Sequence, residues 1–398
     1  MFETLKSVPE DPILGVTSAF RRDAASEKVD LGVGVYRDDS GNTPVPIAVR
    51  AAELAVLQSQ TTKTYVSPVG NPGFNAQVTA LVLGDVSKAR GGAVAAVQAP
   101  GGSGALRLGA ELVKAASPDA RVVVSDPTWA NHIPLLGGTG LTIEKHAYYS
   151  TATHSVDFDA MDGALNKLPS GSVVVLHACC HNPTGADLST TQWNRIAEIL
   201  GARGLLPFVD LAYQGLAKDL EADAAPVRLL ASKLPEMLVA VSCSKNFGLY
   251  RERVGALIVV TESHERSAIS TGQLGRLART LYSMPPDHGA AVVDRVLTDT
   301  NLRAQWVAEL TAMAARINGL RGQLADALSL ATQSDFAWIK AQRGMFSKLD
   351  ITPAMVTALR ETHHIYTAPD GRMNIAGLHR DTVQRVAQAI AQVLRTAS

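Results

Sequence analysis

The stretch Val173-Val174-Val175-Leu176 is a continuous apolar run with no alternation between inward and outward positions. Strands of a parallel sheet that is covered on both faces have this composition. Five further runs share it: Val94 to Val97, Val122 to Val124, Leu205 to Val209, Met237 to Val241 and Val254 to Val260. Helix-like segments such as Ala105 to Ala116 and Thr191 to Ala202 separate them. The alternation predicts an α/β fold with a mostly parallel sheet covered by helices on both faces.

The chain is long enough for two or three domains. It has 398 residues, against about 150 for a typical domain. Apolar residues recur at steps of three and four from Leu302 to Leu328, which predicts one long amphipathic helix. The pattern changes after it, and Phe336 to Ser398 is expected to form part of a smaller α+β unit.

Composition argues for small-molecule chemistry. Lysine and arginine number 37, as do aspartate and glutamate, so no excess positive charge favours nucleic acid or an anionic membrane. No apolar run approaches the ~18 residues of a membrane span. The three cysteines form no disulfide framework, and the first residues lack the pattern of a secretory signal. These features predict a cytoplasmic protein.

A different polar or aromatic group follows each of five predicted strands, where the carboxyl ends of parallel strands place ligands. A glycine cluster opens a helix, as a phosphate-binding turn does. The groups, in chain order, are Pro100-Gly101-Gly102-Ser103-Gly104, Asp126-Pro127-Thr128-Trp129, His177 to Gly185, Asp210 with Tyr213, and Ser242-Cys243-Ser244-Lys245-Asn246.

Each group alone also has an ordinary structural explanation. Glycine clusters and Asn-Pro-Thr-Gly form turns, and an aspartate at a strand end caps helices. His177 and His181 have no third ligand at metal spacing along the chain, so we predict no metal. Taken together, however, the groups match the needs of pyridoxal 5'-phosphate, which requires a lysine for an imine link and an acid for its ring nitrogen. Lys245 and Asp210 fit these two roles.

Several long motifs, in order along nearly the whole chain, resemble the aspartate and aromatic amino acid aminotransferases, class I pyridoxal-phosphate enzymes of fold type I. They are Asp11 to Gly15, Leu31 to Tyr36, Asn182 to Gly185, Asp210 to Gly215, Ser242 to Gly255, Pro285 to Gly289, Arg343 to Ser347 and Gly371 to Asn374. The resemblance implies an N-terminal arm at residues 1–10, a small domain from residues 11–43 and 311–398, and a large cofactor-binding domain at residues 44–310.

The resemblance also implies roles for individual residues around the cofactor. Lys245 holds pyridoxal phosphate covalently and moves the substrate's α-proton, and Asp210 keeps the pyridine nitrogen protonated. Tyr213 and Asn182 bind the phenolic oxygen, and Trp129 stacks on the ring. The phosphate is expected to contact Gly102, Ser103, Ser242, Ser244, Arg253 and, from a partner subunit, Tyr65.

Substrate binding is implied by two arginines. Arg372 pairs with the α-carboxylate, since a planar guanidinium matches a carboxylate in two-pronged fashion, and Gly34 adds a backbone contact. Arg279 binds the distal carboxylate of aspartate or glutamate across a homodimer interface. The expected reaction moves an amino group between an amino acid and 2-oxoglutarate by a ping-pong cycle.

Features that bear on specificity conflict. Ser103 resembles the aromatic branch of the family, whereas Val35 and Thr43 resemble the aspartate branch. Met284 fits neither branch, and Lys348 stands where an aromatic or apolar residue is general. We favour aromatic substrates slightly over aspartate.

The same residues leave other functions open. A strict aspartate aminotransferase and a lyase of the same fold are the nearest alternatives. A dinucleotide-binding oxidoreductase is disfavoured because Gly101-Gly102-Ser103-Gly104 lacks the G-x-G-x-x-G spacing. A binding protein without turnover is disfavoured by the presence of Lys245, Asp210 and Arg372 together.

We predict that Arg279→Ala lowers kcat/KM for aspartate and glutamate by about a hundredfold or more, because the distal carboxylate loses its charge partner. Phenylalanine and tyrosine, which have no second carboxylate, should be affected far less. Steady-state kinetics with all four amino acids measures the difference. Equal losses for the two groups would contradict the assignment of Arg279.

Overall fold

The computed structural model describes residues 2–8 and 12–396. The predicted arm at residues 1–10 and the motif that starts at Asp11 lie partly outside them. The chain divides into two units. The small unit comprises the described residues of Met1–Thr43, Pro183–Gly185 and Arg316–Ser398, and the large unit comprises Pro44–Asn182 and Ala186–Ala315.

The α-helices of the described residues are α1 (Pro12–Arg22), α2 (Ile47–Ser59), α3 (Pro72–Leu83), α4 (Asp85–Ala89), α5 (Gly101–Ala116), α6 (His132–Gly137), α7 (Phe158–Leu165), α8 (Thr190–Arg203), α9 (Leu220–Lys233), α10 (His264–Tyr282), α11 (Asp287–Thr298), α12 (Thr300–Thr332), α13 (Trp338–Ala341), α14 (Pro353–His363) and α15 (Val383–Thr396). None of these helices is long and apolar enough to cross a membrane.

The strands of the described residues are β1 (Val29–Asp30), β2 (Val94–Pro100), β3 (Arg121–Asp126), β4 (Thr142–Ala147), β5 (Tyr149–Ser150), β6 (Ser155–Val156), β7 (Val173–His177), β8 (Leu206–Leu211), β9 (Met237–Ser242), β10 (Val254–Val260), β11 (Phe346–Lys348), β12 (Ile365–Tyr366) and β13 (Arg372–Asn374).

The large unit is built on a seven-stranded sheet in the order β2-β10-β9-β8-β7-β3-β4. Only β10 runs antiparallel to its neighbours in this sheet, so the predicted mostly parallel α/β architecture is confirmed. All six apolar runs form strands of it. The carboxyl ends of β2, β3, β7, β8 and β9 therefore lie at one edge.

Close packing sets the position of α5 on this sheet. A Cβ at Gly109 would lie 2.4 Å from Cζ of Phe208 on β8, so only glycine allows the helix to approach so near. Around this contact, residues of α5, β2, β3, β8 and β10 form one buried apolar cluster. The start of α5 is thereby held at the carboxyl edge of the sheet.

Local signals explain how the helices begin and end. Ser189 and Gln192 form a reciprocal capping box at the start of α8, and Gly204 ends it with a φ of +63°. Asp219 caps α9 by accepting the N–H of Ala222 at 2.7 Å. The predicted helix from Leu302 to Leu328 is observed as α12, extended at both ends.

The small unit joins segments that are far apart in sequence. Strand β1 pairs in parallel with β12, and β11 pairs antiparallel with β13. Arg372 stands opposite Lys348 in the second pair, and Asn374 stands opposite Phe346. This pairing explains how residues near Gly34 and residues near Arg372 belong to one unit.

Candidate active site

The order in which strands are added to the sheet reverses at β3. Strand β4 lies on one side of β3, and β7, which comes later in the chain, lies on the other side. A crevice beyond the carboxyl ends of strands at such a switch point is where open α/β sheets bind ligands. The segment after β3 carries Trp129 and His132, and the segment after β7 carries Asn182.

Asp210 is the central buried charge of this edge. It lies within β8, one residue before its end, rather than after the strand as the sequence suggests. Its Oδ2 is 3.2 Å from Nε2 of His132, whose Nδ1 is 2.8 Å from the Thr128 hydroxyl. Burial alone would raise the pKa of Asp210, but the hydrogen bond and charge of His132, together with the electrostatic interactions of His177 and Lys245, outweigh it and lower that pKa. The carboxylate is therefore held ionised.

Asp210 also keeps one acceptor available. Its Oδ1 is buried and has no hydrogen-bond partner among the described residues. A buried acceptor without a partner costs about 1–3 kcal/mol, so such an atom at a ligand edge is suited to a donor from a bound group. The protonated ring nitrogen of pyridoxal phosphate is a donor of this kind.

Four histidines extend the buried cluster next to Asp210. The His177 ring centroid lies 5.2 Å from that of His132 and 4.4 Å from that of His181, and His181 stacks on Tyr148 at 4.1 Å. Burial is the main cause that lowers the pKa of His177, to about 3, and it also lowers the pKa values of His181 and His146. These three imidazoles are neutral at physiological pH.

The structure adds candidate metal ligands that sequence spacing did not show. Ligand atoms of His132, His177 and Asp210 all lie within 4.8 Å of one another. His132 and Asp210 are 78 positions apart in the sequence, so no spacing rule along the chain brings them together. In this cluster His132 already bonds Asp210, the arrangement expected for a carboxylate oriented by an imidazole, and the absence of a metal stays a prediction.

Lys245 lies on the segment that follows β9. Its Nζ is 4.9 Å from the ring centroid of Tyr213, which is buried. The chain after the lysine is anchored by Trp306, whose Nε1 donates to the carbonyl of Asn246 at 2.7 Å and whose ring stacks on Phe247 at 4.3 Å. The lysine therefore projects from a rigid backbone.

The start of α5 has the form of a phosphate cradle. No side chain caps its first turn, so its N–H groups and positive dipole end remain available to an anion. A Cβ at Gly101 would lie 2.5 Å from Nη2 of Arg253, and one at Gly102 would lie 3.0 Å from Cβ of Ser242. Ser244 is also buried here, with its hydroxyl 3.1 Å from that of Ser242.

Arg253 adopts a strained backbone conformation beside the cradle. Its φ is +55°, in the left-handed region that residues other than glycine seldom occupy. Its Nη1 donates to the carbonyl of Tyr250 at 2.9 Å. Strain of this kind is retained where the surrounding structure requires it, commonly at ligand sites.

Asn182 and Trp129 lie at the same edge. Asn182 is buried, and Trp129 is half-buried with its ring 5.3 Å from that of His132 at an angle of 81°. The chain before Asn182 is fixed by Asp187, whose carboxylate accepts the N–H groups of Cys180 and His181 at 2.7 and 2.8 Å. Ser103, the third residue of α5, is half-buried.

A second set of predicted residues lies in the small unit. Arg372 is buried, with its Cζ 4.4 Å from the ring centroid of Phe346, and its Nη2 donates to the carbonyl of Gly32 at 2.9 Å. A Cβ at Gly34 would lie 2.9 Å from Cζ of Phe346. Asn374 holds the same segment, donating to the carbonyls of Val33 and Val35 at 2.7 and 2.8 Å.

The remaining predicted residues lie at the surface of the chain. Tyr65 is 93% exposed, and Arg279 is exposed on α10. Met284 and Lys348 are half-buried. The residue pair Lys348 and Arg372 places two positive charges directly opposite each other on neighbouring strands, an arrangement that is unfavourable without an anion nearby.

Sequence reasoning missed His132, Phe346 and Asn374 as parts of the site. His132 follows Trp129 by three residues. Phe346 lies inside the motif Arg343 to Ser347, and Asn374 ends the motif Gly371 to Asn374. The motifs therefore contained the signal, but the contacts of these side chains depend on strand pairing.

The edge thus has the parts of a pyridoxal-phosphate site: a lysine, an ionised acid with an available oxygen, and an anion cradle. Comparison with known proteins agrees. Residues 26–390 match the family "Aminotransferase class I and II", to which the chain belongs. Enzymes of this family depend on pyridoxal phosphate.

Relatives of known name span the whole chain. An aromatic-amino-acid aminotransferase of Paracoccus denitrificans is 46% identical over 394 residues, covering 99% of this chain and 100% of that protein. An aspartate aminotransferase of Pseudomonas aeruginosa is 42% identical, covering 99% and 100%. The crystal structure of an aromatic-amino-acid aminotransferase from Burkholderia pseudomallei, covalently bound to pyridoxal phosphate, has a TM-score of 0.96 at 45% identity and 99% coverage of both chains.

The buried neutral histidines predict a loss of stability in acid. An unfolded chain protonates His177 below pH ~6.5, but the folded chain does so only near pH 3, so the unfolded state binds more protons between these values. The free energy of unfolding should therefore fall as the pH decreases from 6.5 towards 3, by on the order of 2 kcal/mol between pH 7 and pH 5 for this residue. Urea unfolding of His177→Asn should show that much less pH dependence than the wild type. His264→Asn, at an exposed histidine, is the matched control, and an unchanged dependence in His177→Asn would contradict the assignment.

Proposed function

We propose that this chain is an aminotransferase that moves an amino group between an aromatic amino acid, aspartate or both, and 2-oxoglutarate in a ping-pong cycle, with aromatic substrates favoured. The observation that carries the proposal is a buried, ionised Asp210 whose Oδ1 is available to a donor, on the strand next to the one that Lys245 follows. The aromatic preference is supported by relatives of that name at 46% identity. A strict aspartate aminotransferase is the second candidate, since relatives of that name are 40–42% identical.

Pyridoxal phosphate, when bound, supplies an electron-withdrawing ring that accepts the electron pair left at the substrate's α-carbon. Asp210 is proposed to keep the ring nitrogen protonated, with His132 orienting the carboxylate through Nε2. Lys245 is proposed to take the proton from the substrate's α-carbon and to deliver it to C4′ of the cofactor. A lysine acts as a base only when it is neutral, so the surroundings of Nζ must favour the uncharged amine at that step.

The other proposed contacts follow from placement. The start of α5, with Gly102 and Ser103, together with Ser242, Ser244 and Arg253, is proposed to hold the phosphate. Tyr213 and Asn182 are proposed to bind the phenolic oxygen, and Trp129 to stack on the ring. All of these residues belong to the large unit, which we propose as the cofactor domain.

The small unit is proposed to recognise the substrate's α-carboxylate. Arg372 presents a guanidinium that is supported by the Phe346 ring, and Gly34 lies so close to the same ring that a Cβ there would clash with it. Lys348, opposite Arg372, adds a second positive charge on this side.

Met284 is proposed to give the side-chain pocket a soft apolar wall that accepts aromatic rings.

The experiment that tests the function mixes the holoenzyme separately with aspartate, glutamate, phenylalanine and tyrosine. We expect the visible absorption of the aldehyde form of the cofactor to convert to that of the amine form with all four, fastest with an aromatic amino acid or glutamate. Lys245→Ala should lose the absorption band of the covalently held cofactor and react with none of them. Conversion by aspartate and glutamate alone would favour the second candidate, and conversion by none would refute the proposal.

We also infer that the chain acts as a homodimer in which each site receives Tyr65 and Arg279 from the partner. Both side chains are exposed, and α2 presents Ile47, Leu54 and Leu57 to the surface, each more than half exposed. Apolar side chains exposed together along one element are common at interfaces between subunits. A cytoplasmic location stays a prediction from the sequence.

Mixed dimers test the sharing of sites. Lys245→Ala and Arg279→Ala chains should each be nearly inactive with aspartate, but a refolded equal mixture should recover about a quarter of wild-type activity, because half of the dimers then carry one complete site. Sedimentation should give the mass of two chains. A mixture no more active than its components would refute the exchange of Arg279.

A further inference from the structure

Arg321 on α12 is among the largest fully buried side chains of the described residues, with 1% of its surface exposed. A guanidinium taken out of water is costly unless its donors are satisfied by good hydrogen bonds. The hydrogen-bond partners of Arg321 therefore indicate what its burial stabilises.

The shorter hydrogen bonds of Arg321 converge on one short segment, and its Nη1 also donates to the carbonyl of Ile339 on α13 at 3.4 Å. Its Nη2 donates to the carbonyls of Gly344 and Phe346 at 2.6 and 3.0 Å, and its Nη1 donates to the hydroxyl of Ser347. That hydroxyl in turn donates to Oε1 of Gln342 at 2.7 Å. The turn at Gly344, with a φ of +78°, and the start of β11 are thus fixed from one side by a single guanidinium.

The segment that Arg321 fixes carries the support of Arg372. The Phe346 ring lies 4.4 Å below the Arg372 guanidinium, and the same ring closely faces Gly34. Strand β11 also pairs with β13, which holds Arg372. A shift of the Phe346 backbone would therefore move the ring and alter the plane of the Arg372 guanidinium.

We propose that Arg321 is a positioning residue for recognition of the substrate's α-carboxylate, acting through β11 and Phe346 on Arg372. This inference rests on the proposed function, because it takes Arg372 as the carboxylate-binding group. A two-pronged guanidinium-carboxylate pair depends on coplanar alignment, so small displacements weaken it.

A purely structural role for Arg321 predicts a different result. It would lower thermal stability without distinguishing ligands that carry the α-carboxylate from ligands that lack it. The test therefore compares tyrosine with tyramine, the same amine without the carboxylate, in the half-reaction of the holoenzyme. Calorimetric binding of 3-phenylpropionate and of succinate adds a measurement that involves no turnover.

Two variants test the proposal, and two further variants serve as negative control and as reference. Arg321→Lys keeps the charge but loses the planar fork, and Ser347→Ala removes one acceptor of Arg321 while the arginine remains. Arg395→Met removes an exposed guanidinium that donates to the carbonyl of Ala331 at 3.1 Å, elsewhere in the small unit. Arg372→Ala shows the full effect of losing the carboxylate partner.

For Arg321→Lys we expect about a tenfold rise in KM for tyrosine and in the Kd of the carboxylic acids that the wild type binds, with the rate for tyramine and the cofactor absorption unchanged. Ser347→Ala should show the same selectivity at about threefold. If Arg321→Lys does not fold, Ser347→Ala decides alone. Equal changes for tyrosine and tyramine, or none beyond those of Arg395→Met, would overturn the proposal.

Failure of the proposed function gives a separate result. A wild type that binds the carboxylic acids through Arg372 but does not convert tyrosine would refute the aromatic aminotransferase while the calorimetry still tests Arg321. An Arg372→Ala variant that loses no carboxylate affinity would refute the role of Arg372 and overturn the present inference with it.

Discussion

The hydrogen bond between Asp210 and His132 is the interaction on which the arrangement of the candidate site in the large unit depends. A carboxylate buried in the central strand of a seven-stranded sheet is destabilised by its own burial. It is kept ionised by an imidazole from the start of α6 that meets one oxygen, together with the electrostatic interactions of His177 and Lys245. That imidazole is oriented in turn by the hydroxyl of Thr128. The other oxygen is left for a donor from outside the described residues. A charge is thus placed where only a bound group completes its hydrogen bonding.

Rigid packing supports this chemistry at each end of the edge. Glycine at position 109 lets α5 lie against Phe208, which sets the start of the helix beside Ser242 and Arg253. Burial lowers the pKa values of His177 and His181, so these two imidazoles are neutral and fill space beside the site. In the small unit, Arg321 and Asn374 fix two different loops by bonding their carbonyl groups. Side chains outside the proposed substrate contacts therefore hold the candidate site residues in place.

The sequence predicted the sheet well because its strands are buried on both faces and therefore consist of unbroken apolar runs. The strand β4 was not predicted: it is an edge strand, and Thr142-Ile143-Glu144-Lys145-His146-Ala147 carries too many polar residues to stand out. The residue composition of β10 does not reveal that this strand runs antiparallel to its neighbours. Motifs located Lys245, Asp210 and Arg372, but His132 and Phe346 gain their roles only through contacts across the fold, which spacing along the chain does not encode.

The contact between Trp306 and the backbone of Asn246 has one more consequence. An indole that donates to the residue directly after Lys245, and that is stacked face to face on Phe247, is a buried fluorophore joined to the segment of this lysine by one hydrogen bond. Its emission is sensitive to any change in the polarity or geometry of that backbone. The chain thus carries an intrinsic optical reporter beside the lysine proposed to hold the cofactor, with no label required.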